Sequence, residues 1–274
     1  MRKNSVIGSN QAFAWVLLCL WAGLPQVLAA RQLELPLQRL ELEQAALDAL
    51  CARLRPSCQG SDVRLYEDGS GQSGWRYYLL AVASPQVWVS QQQSFAGARH
   101  WAYQAHLRQA PAEELYWALK PVLYRLADGW AWAATSHWSE FYPGGGGHYA
   151  VADFVRFDWQ TPQRVLYAGV PLHCSRMMRA CFTEEDQATS PHCEDEYSGH
   201  LRIRQRGRAT PENPGWRFVW TSKTWPAFVP VRKASQNTQV LSVQFMPGQE
   251  STSHLKVVAQ EMMCGGSEFW WLDE

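Results

Sequence analysis

The 274-residue chain carries 25 Lys and Arg against 25 Asp and Glu and so has no formal net charge. That balance excludes the bulk attraction to nucleic acid or anionic lipid expected of a strongly basic protein. Fifteen tryptophans, ten tyrosines and ten phenylalanines supply many large, rigid side chains for a core, a surface or both.

The first thirty residues read as a secretory signal. Arg2 and Lys3 give the basic start, Ala12 to Leu24 is an apolar run of 13 residues, Pro25 breaks it, and small residues close it. Cleavage after Ala29 leaves Val27 and Ala29 at the recognition positions and is favoured over cleavage after Ala30, which leaves Leu28 and Ala30 there. The run falls short of the roughly 20 residues a spanning helix needs, so no transmembrane segment is expected after the signal is removed. The expected location is periplasmic or secreted. Removing residues 1–30 leaves 23 basic against 25 acidic side chains, and residues 31–274 are expected to form a single β-rich domain large enough to bury a real core.

Six cysteines follow the signal: Cys51, Cys58, Cys174, Cys181, Cys193 and Cys264. An even count in an exported chain predicts disulfides. Two C-x6-C spacings suggest Cys51 with Cys58 and Cys174 with Cys181, leaving Cys193 for Cys264. For the first pair, Pro56 ends a helix and lets the chain fold back.

Along the chain, Leu37, Leu40, Leu47, Cys51 and Leu54 fall on one stripe, which predicts a helix opening near Pro36 and packed on a sheet face with Cys51 inward. Strand patterns follow at Val63 to Glu67, Trp75 to Ala83 and Val87 to Gln91. A short helix is expected from Pro111 to Lys120, with Glu113 and Glu114 in its first turn and Pro121 ending it. Val122 to Ala127 and Trp130 to Thr135 flank Asp128-Gly129, a pair suited to a primed hairpin turn. A second hairpin joins Tyr149 to Trp159 with Arg164 to Val170. Further strands are expected at His200 to Arg206, Trp216 to Ser222, Val240 to Phe245 and Leu255 to Glu261. The fold class is therefore β-rich α+β, with mostly antiparallel sheets, an N-terminal helix on a sheet face and disulfide support.

Four features are candidates for chemistry. His173-Cys174, Cys181 and His192-Cys193 resemble a metal-ligand set only in composition, because no two cysteines have finger spacing and an oxidising compartment consumes thiolates; no metal is expected. The nearby acids, including Glu184 to Asp186 and Glu194 to Glu196, lack a calcium-loop pattern and read as a solvated loop. His200, Arg202, Arg204, Arg206 and Arg208 alternate with other residues, so a strand would put every cation on one face, suited to an anionic polymer, a phosphate or an acidic partner. Phe141-Tyr142-Pro143 and four glycines lead to His148, a loop without the lysine of a phosphate-binding motif, which reads as a flexible connection.

Aromatics at Trp130, Trp132, Trp138, Phe141, Tyr142, Trp216, Trp220, Trp225, Phe269, Trp270 and Trp271 suit either a core or stacking on sugar rings. No cofactor loop is present, no G-x-S-x-G frames a serine such as Ser267, and carboxylate pairs drawn from Glu140, Asp153, Asp158 and Glu194 are arbitrary. The resulting expectation is a non-enzymatic binding or assembly protein without cofactor, using His200, Arg202, Arg204, Arg206, Trp138, Tyr142 and His148 toward an envelope protein, a glycan or another anionic ligand. A carbohydrate-active hydrolase and a metal-handling protein are the alternatives.

Overall fold

A computed structural model describes residues 32–103, 116–160, 163–207, 209–210, 214–241, 243–246, 254–257 and 264. Two sheets dominate it. The smaller has five antiparallel strands in the order β2 (Gln38–Leu40), β3 (Val63–Glu67), β4 (Tyr77–Ala81), β5 (Gln86–Ser90) and β6 (Arg99–Ala102). The larger has ten strands. Its main path runs β1 (Glu34–Pro36), β7 (Tyr116–Arg125), β8 (Trp130–Tyr142), β9 (Gly145–Arg156), β10 (Val165–Arg179), β11 (Glu194–Gln205), β12 (Trp216–Trp225) and β13 (Ser235–Val240). β14 (Val243–Met246) pairs with β15 (His254–Val257), which lies parallel beside β10.

The expected long N-terminal helix is not formed. Glu34 to Pro36 pairs with β7, and Gln38 to Leu40 pairs with β3, so these few residues pass from one sheet to the other. Pro36 ends the first strand, and Leu37 turns into the apolar layer with its amide bonded to the Pro121 carbonyl at 3.0 Å. Helix α1 is confined to Gln44–Cys51. Its Leu47, Leu50 and Cys51 are buried in one cluster with Val63, Leu65, Leu79 and Trp88 of the small sheet. The stripe read from the sequence was real, but residues at its N-terminal end gain more from ladder bonds at two sheet edges than from a helical turn.

The other face of the small sheet offers Tyr78, Leu80, Val87 and Val89, which share a cluster with Leu123, Trp132, Ala134 and Val155 of the large sheet. Side chains that alternate across a strand thus bury both faces of β4 and β5. A third cluster joins Tyr124, Phe154 and Tyr167 to Trp216, Phe218 and Trp220, and the Trp216 indole donates to the Arg125 carbonyl at 3.3 Å. β12 therefore lies back over β7 to β10. Trp132 and Trp220 are almost wholly buried; at 150–250 Å² per aromatic, such a side chain contributes on the order of 4–6 kcal/mol of transfer free energy.

Several local expectations change. Of the helix expected from Pro111 to Lys120, residues 111–115 lie outside the described residues, and Tyr116 to Lys120 is strand. Pro121, expected to end a helix, instead sits in a register shift of β7 between Leu119 and Leu123, where its missing N–H costs no ladder bond. The β7–β8 hairpin forms, but Leu126 donates to the Gly129 carbonyl at 2.9 Å, and neither Asp128 nor Gly129 has positive φ. Ala127 and Asp128 are the central pair, and the Asp128 carboxylate reaches Arg156 at 2.8 Å. The strand expected from Val240 to Phe245 is split between β13 and β14.

The glycine stretch is not a flexible connection. Tyr142 faces Gly145 across a two-residue turn, Pro143-Gly144, and Gly144 has φ +88°, as the third position of a type II turn requires after proline. Gly145 to Gly147 continue as β9 between β8 and β10.

Three disulfides are present: Cys51–Cys58, Cys174–Cys264 and Cys181–Cys193. The first matches the expected pairing and the other two exchange partners. Cys174 lies inside β10, which runs on to Arg179, and seven residues of strand span about 23 Å, far beyond the ~7 Å that a disulfide bridges. Beyond that strand, α2 (Glu184–Thr189), capped reciprocally by Thr183 and Asp186, returns the chain so that the Ala180 and Cys181 amides both donate to the Cys193 carbonyl, at 2.8 and 3.4 Å. No described helix is long and apolar enough to cross a membrane.

Candidate ligand-binding face

Strand register places side chains from five or six strands in straight rows across the far half of the large sheet. One row reads His137, Ala150, His173, His200, Thr221 and Thr238. The next reads Ser139, His148, Ser175, Ser198, Lys223 and Gln236, and the last Phe141, Gly146, Met177, Glu196 and Trp225. These rows form the outward face. The opposite side of the same strands carries Trp138, Tyr149, Cys174 and Trp220, all buried.

A cleft of about 650 Å³ opens over the last two rows. Gly146, Ser175 and Ser198 make a low floor; Phe141, Met177 and Trp225 are apolar walls; and Lys223, Arg179, Glu194 and Glu196 bring charge. Phe141 is 75% and Met177 49% exposed, so these two walls stand open to solvent among the described residues. His148 Nδ1 and Ser139 Oγ are 2.7 Å apart.

Beneath one wall the His192 ring stacks flat on Trp225, centroids 3.5 Å apart and planes 7° from parallel. Its Nδ1 lies 3.6 Å from Glu194 and its Nε2 3.7 Å from Glu196. The Trp225 indole donates to the Val229 carbonyl at 2.7 Å, and the Asp195 carboxylate accepts from the Ala227 amide at 2.8 Å. Glu194 to Glu196 are therefore strand residues that fix the wall, and Glu184 to Asp186 lie in the first turn of α2; neither group is the solvated loop that the sequence suggested.

Of the residues expected to face a ligand, His200, Arg202, Arg204 and Arg206 are exposed. Arg202 and Arg204 lie opposite Val219 and Arg217 of β12. Among the described residues none of Arg202, Arg204, Arg206 or Arg217 has a carboxylate partner. On β11 the acidic end and this basic end are separated by six residues from Glu196 to Arg202, or about 20 Å. His148 lines the cleft. Tyr142 accepts a bond from Arg176 Nε at 3.1 Å. Trp138 is 4% exposed and stacked on Tyr149, with centroids 5.3 Å apart, and burial pushes the Tyr149 phenol up to about 12.

The carboxylates considered for glycoside cleavage are not gathered. Asp153 accepts from the Tyr103 hydroxyl at 2.9 Å and the Gly169 amide at 2.7 Å, and Asp158 pairs with Arg156 at 3.1 Å. The thiols of the cysteine and histidine cluster are all in disulfides. Phe269, Trp270, Trp271 and Ser267 lie outside the described residues. Sequence reasoning missed Ser175, Met177, Glu196, Ser198 and Lys223 as one site, because no local spacing joins three strands. Comparison with known proteins finds no family, no curated protein and no solved structure that matches the chain.

Proposed function

We propose that the protein is an exported, non-enzymatic binding or assembly protein that holds an acidic glycan against the outward face of β11 and β12. The observation that carries this reading is the direct opposition of Arg204 and Arg217, with Arg202, Arg206 and His200 beside them and no carboxylate partner among the described residues. Like charges facing each other across a ladder are destabilising, and a bound anion removes that cost. Three disulfides fit an oxidising compartment outside the cytoplasm. The Trp225 and Phe141 walls suit the flat faces of sugar rings.

Titration with alginate or heparin at rising salt tests the reading. Binding is expected to weaken steeply with ionic strength, as screening of exposed charges demands, and to be lost in the Arg204→Ala, Arg217→Ala double variant. Unchanged binding by that variant overturns it, and capture of poly-glutamate but not of either glycan moves the partner to an acidic protein. A second reading, a carbohydrate-active hydrolase, has one feature in its favour: Glu194 and Glu196 both line the cleft beside Trp225. Reducing-end release in the same samples, abolished by Glu196→Gln, would favour it.

A further inference from the structure

We propose that His173 and His200 form a two-histidine clamp for a borderline transition-metal ion such as nickel(II), copper(II) or zinc. The two stand directly opposite on β10 and β11, and opposed residues of an antiparallel pair have Cβ atoms about 4.5–5.5 Å apart. Imidazole nitrogens ligate such ions at about 2.0–2.1 Å, so two rings rooted this closely converge on one ion without backbone movement. Both side chains are exposed, and neither is engaged in a hydrogen bond or ion pair among the described residues.

The surroundings fit that ion class. Ala150, small and buried, separates His173 from His137 in the same row. The neutral ring is the ligating form. The row contains no carboxylate and no thiolate, and a nitrogen-only set selects copper, nickel or zinc over calcium or magnesium. No described group of three or more His, Cys, Asp or Glu is arranged as a cage. Water therefore completes the coordination, and the ion is exchangeable, unlike a closed structural zinc.

His200 borders the arginine patch of the proposed glycan face, whereas His173 on β10 lies outside it, so separate variants distinguish failure of the metal site from failure of the glycan reading. The test is calorimetric titration of the untagged, disulfide-intact protein with nickel chloride, paired with electron paramagnetic resonance of the copper(II) form. One saturable site is expected, with nitrogen splitting from two imidazoles. His173→Ala and His200→Ala should each weaken nickel binding by about tenfold or more and leave one imidazole in the copper spectrum. The Arg204→Ala, Arg217→Ala variant should bind nickel as the parent does while losing the glycan. Parental nickel affinity in both histidine variants, or no saturable site in the parent, overturns the proposal.

Discussion

The five-stranded sheet and the far half of the ten-stranded sheet are made of the same kind of strand, yet they do opposite things with their two faces. In β4 and β5 both faces are covered, one by α1 and one by the large sheet, and Tyr78, Leu79, Val87 and Val89 have no exposed surface. In β10 and β11 one face is sealed by Trp220 and Cys174 while the other offers histidine, serine, arginine and glutamate to solvent. A face that burial does not claim is where binding chemistry can be written, because its side chains are not committed to packing. The first region is structural support and the second carries the rows.

The sharpest way to probe this division is through the disulfides. Cys174–Cys264 closes a separation of 90 residues from the buried side of the far half, whereas Cys51–Cys58 closes only seven beside α1. Loop-closure entropy predicts a loss of about 4–5 kcal/mol for the first and about 2–3 kcal/mol for the second. Denaturant unfolding of the Cys174→Ala, Cys264→Ala and Cys51→Ala, Cys58→Ala proteins checks the order. A larger loss from the short bridge would mean that the small sheet, not the far half, depends more on its crosslink.

Next in size is Asp68, which organises the β3–β4 loop. Its carboxylate accepts from the amides of Ser70, Gly71 and Ser73 and from both serine hydroxyls. Burial by itself raises its pKa, but the bonds from Ser70 and Ser73 outweigh this and hold it below the usual carboxylate range. Asp68→Ala is expected to cost about 2–4 kcal/mol at neutral pH. Because the folded pKa is depressed, that stabilisation is present above the ordinary carboxylate value of about 3.9 and is lost as pH falls through the folded value. The gap between parent and variant should therefore close in acid, which chemical denaturation at pH 7 and pH 3 would reveal.

The smallest of the three effects concerns the inner side of the far half. A Cβ on Gly199 would sit 2.1 Å from the Trp220 ring, and Trp220 is 1% exposed. Gly199→Ala should cost about 1–3 kcal/mol through overpacking, read as a lowered Tm and an altered near-ultraviolet tryptophan signal. No change in either would show that this side is packed more loosely than the faces of β4 and β5.

Much of the strand framework was legible in the chain itself. Val63 to Glu67 is β3 as its pattern indicates, and both long hairpins form over the expected stretches while running well beyond them, since period-two alternation is a local signal. The alternation of His200, Arg202 and Arg204 also identified an exposed cationic face before any neighbour was known. Legibility ended where one residue had two competing partners. Leu37 and Leu40 fit a helical stripe, and only the presence of β7 and β3 at the correct distance made Leu40 strand and Leu37 the link between β1 and β2. Gly145 to Gly147 read as a flexible connection, and only the flanking strands make them part of a ladder.

The sequence alone determined the even set of sulfurs, the alternating strands and the side of β11 on which the cations stand, because each follows from neighbours a few residues apart. The joining of Cys174 to Cys264, the folding of β12 over β7 to β10, and the row that brings His173 opposite His200 were decided only by the tertiary structure. Register between strands distant in sequence is set by how whole faces pack, and no short window of residues contains that information.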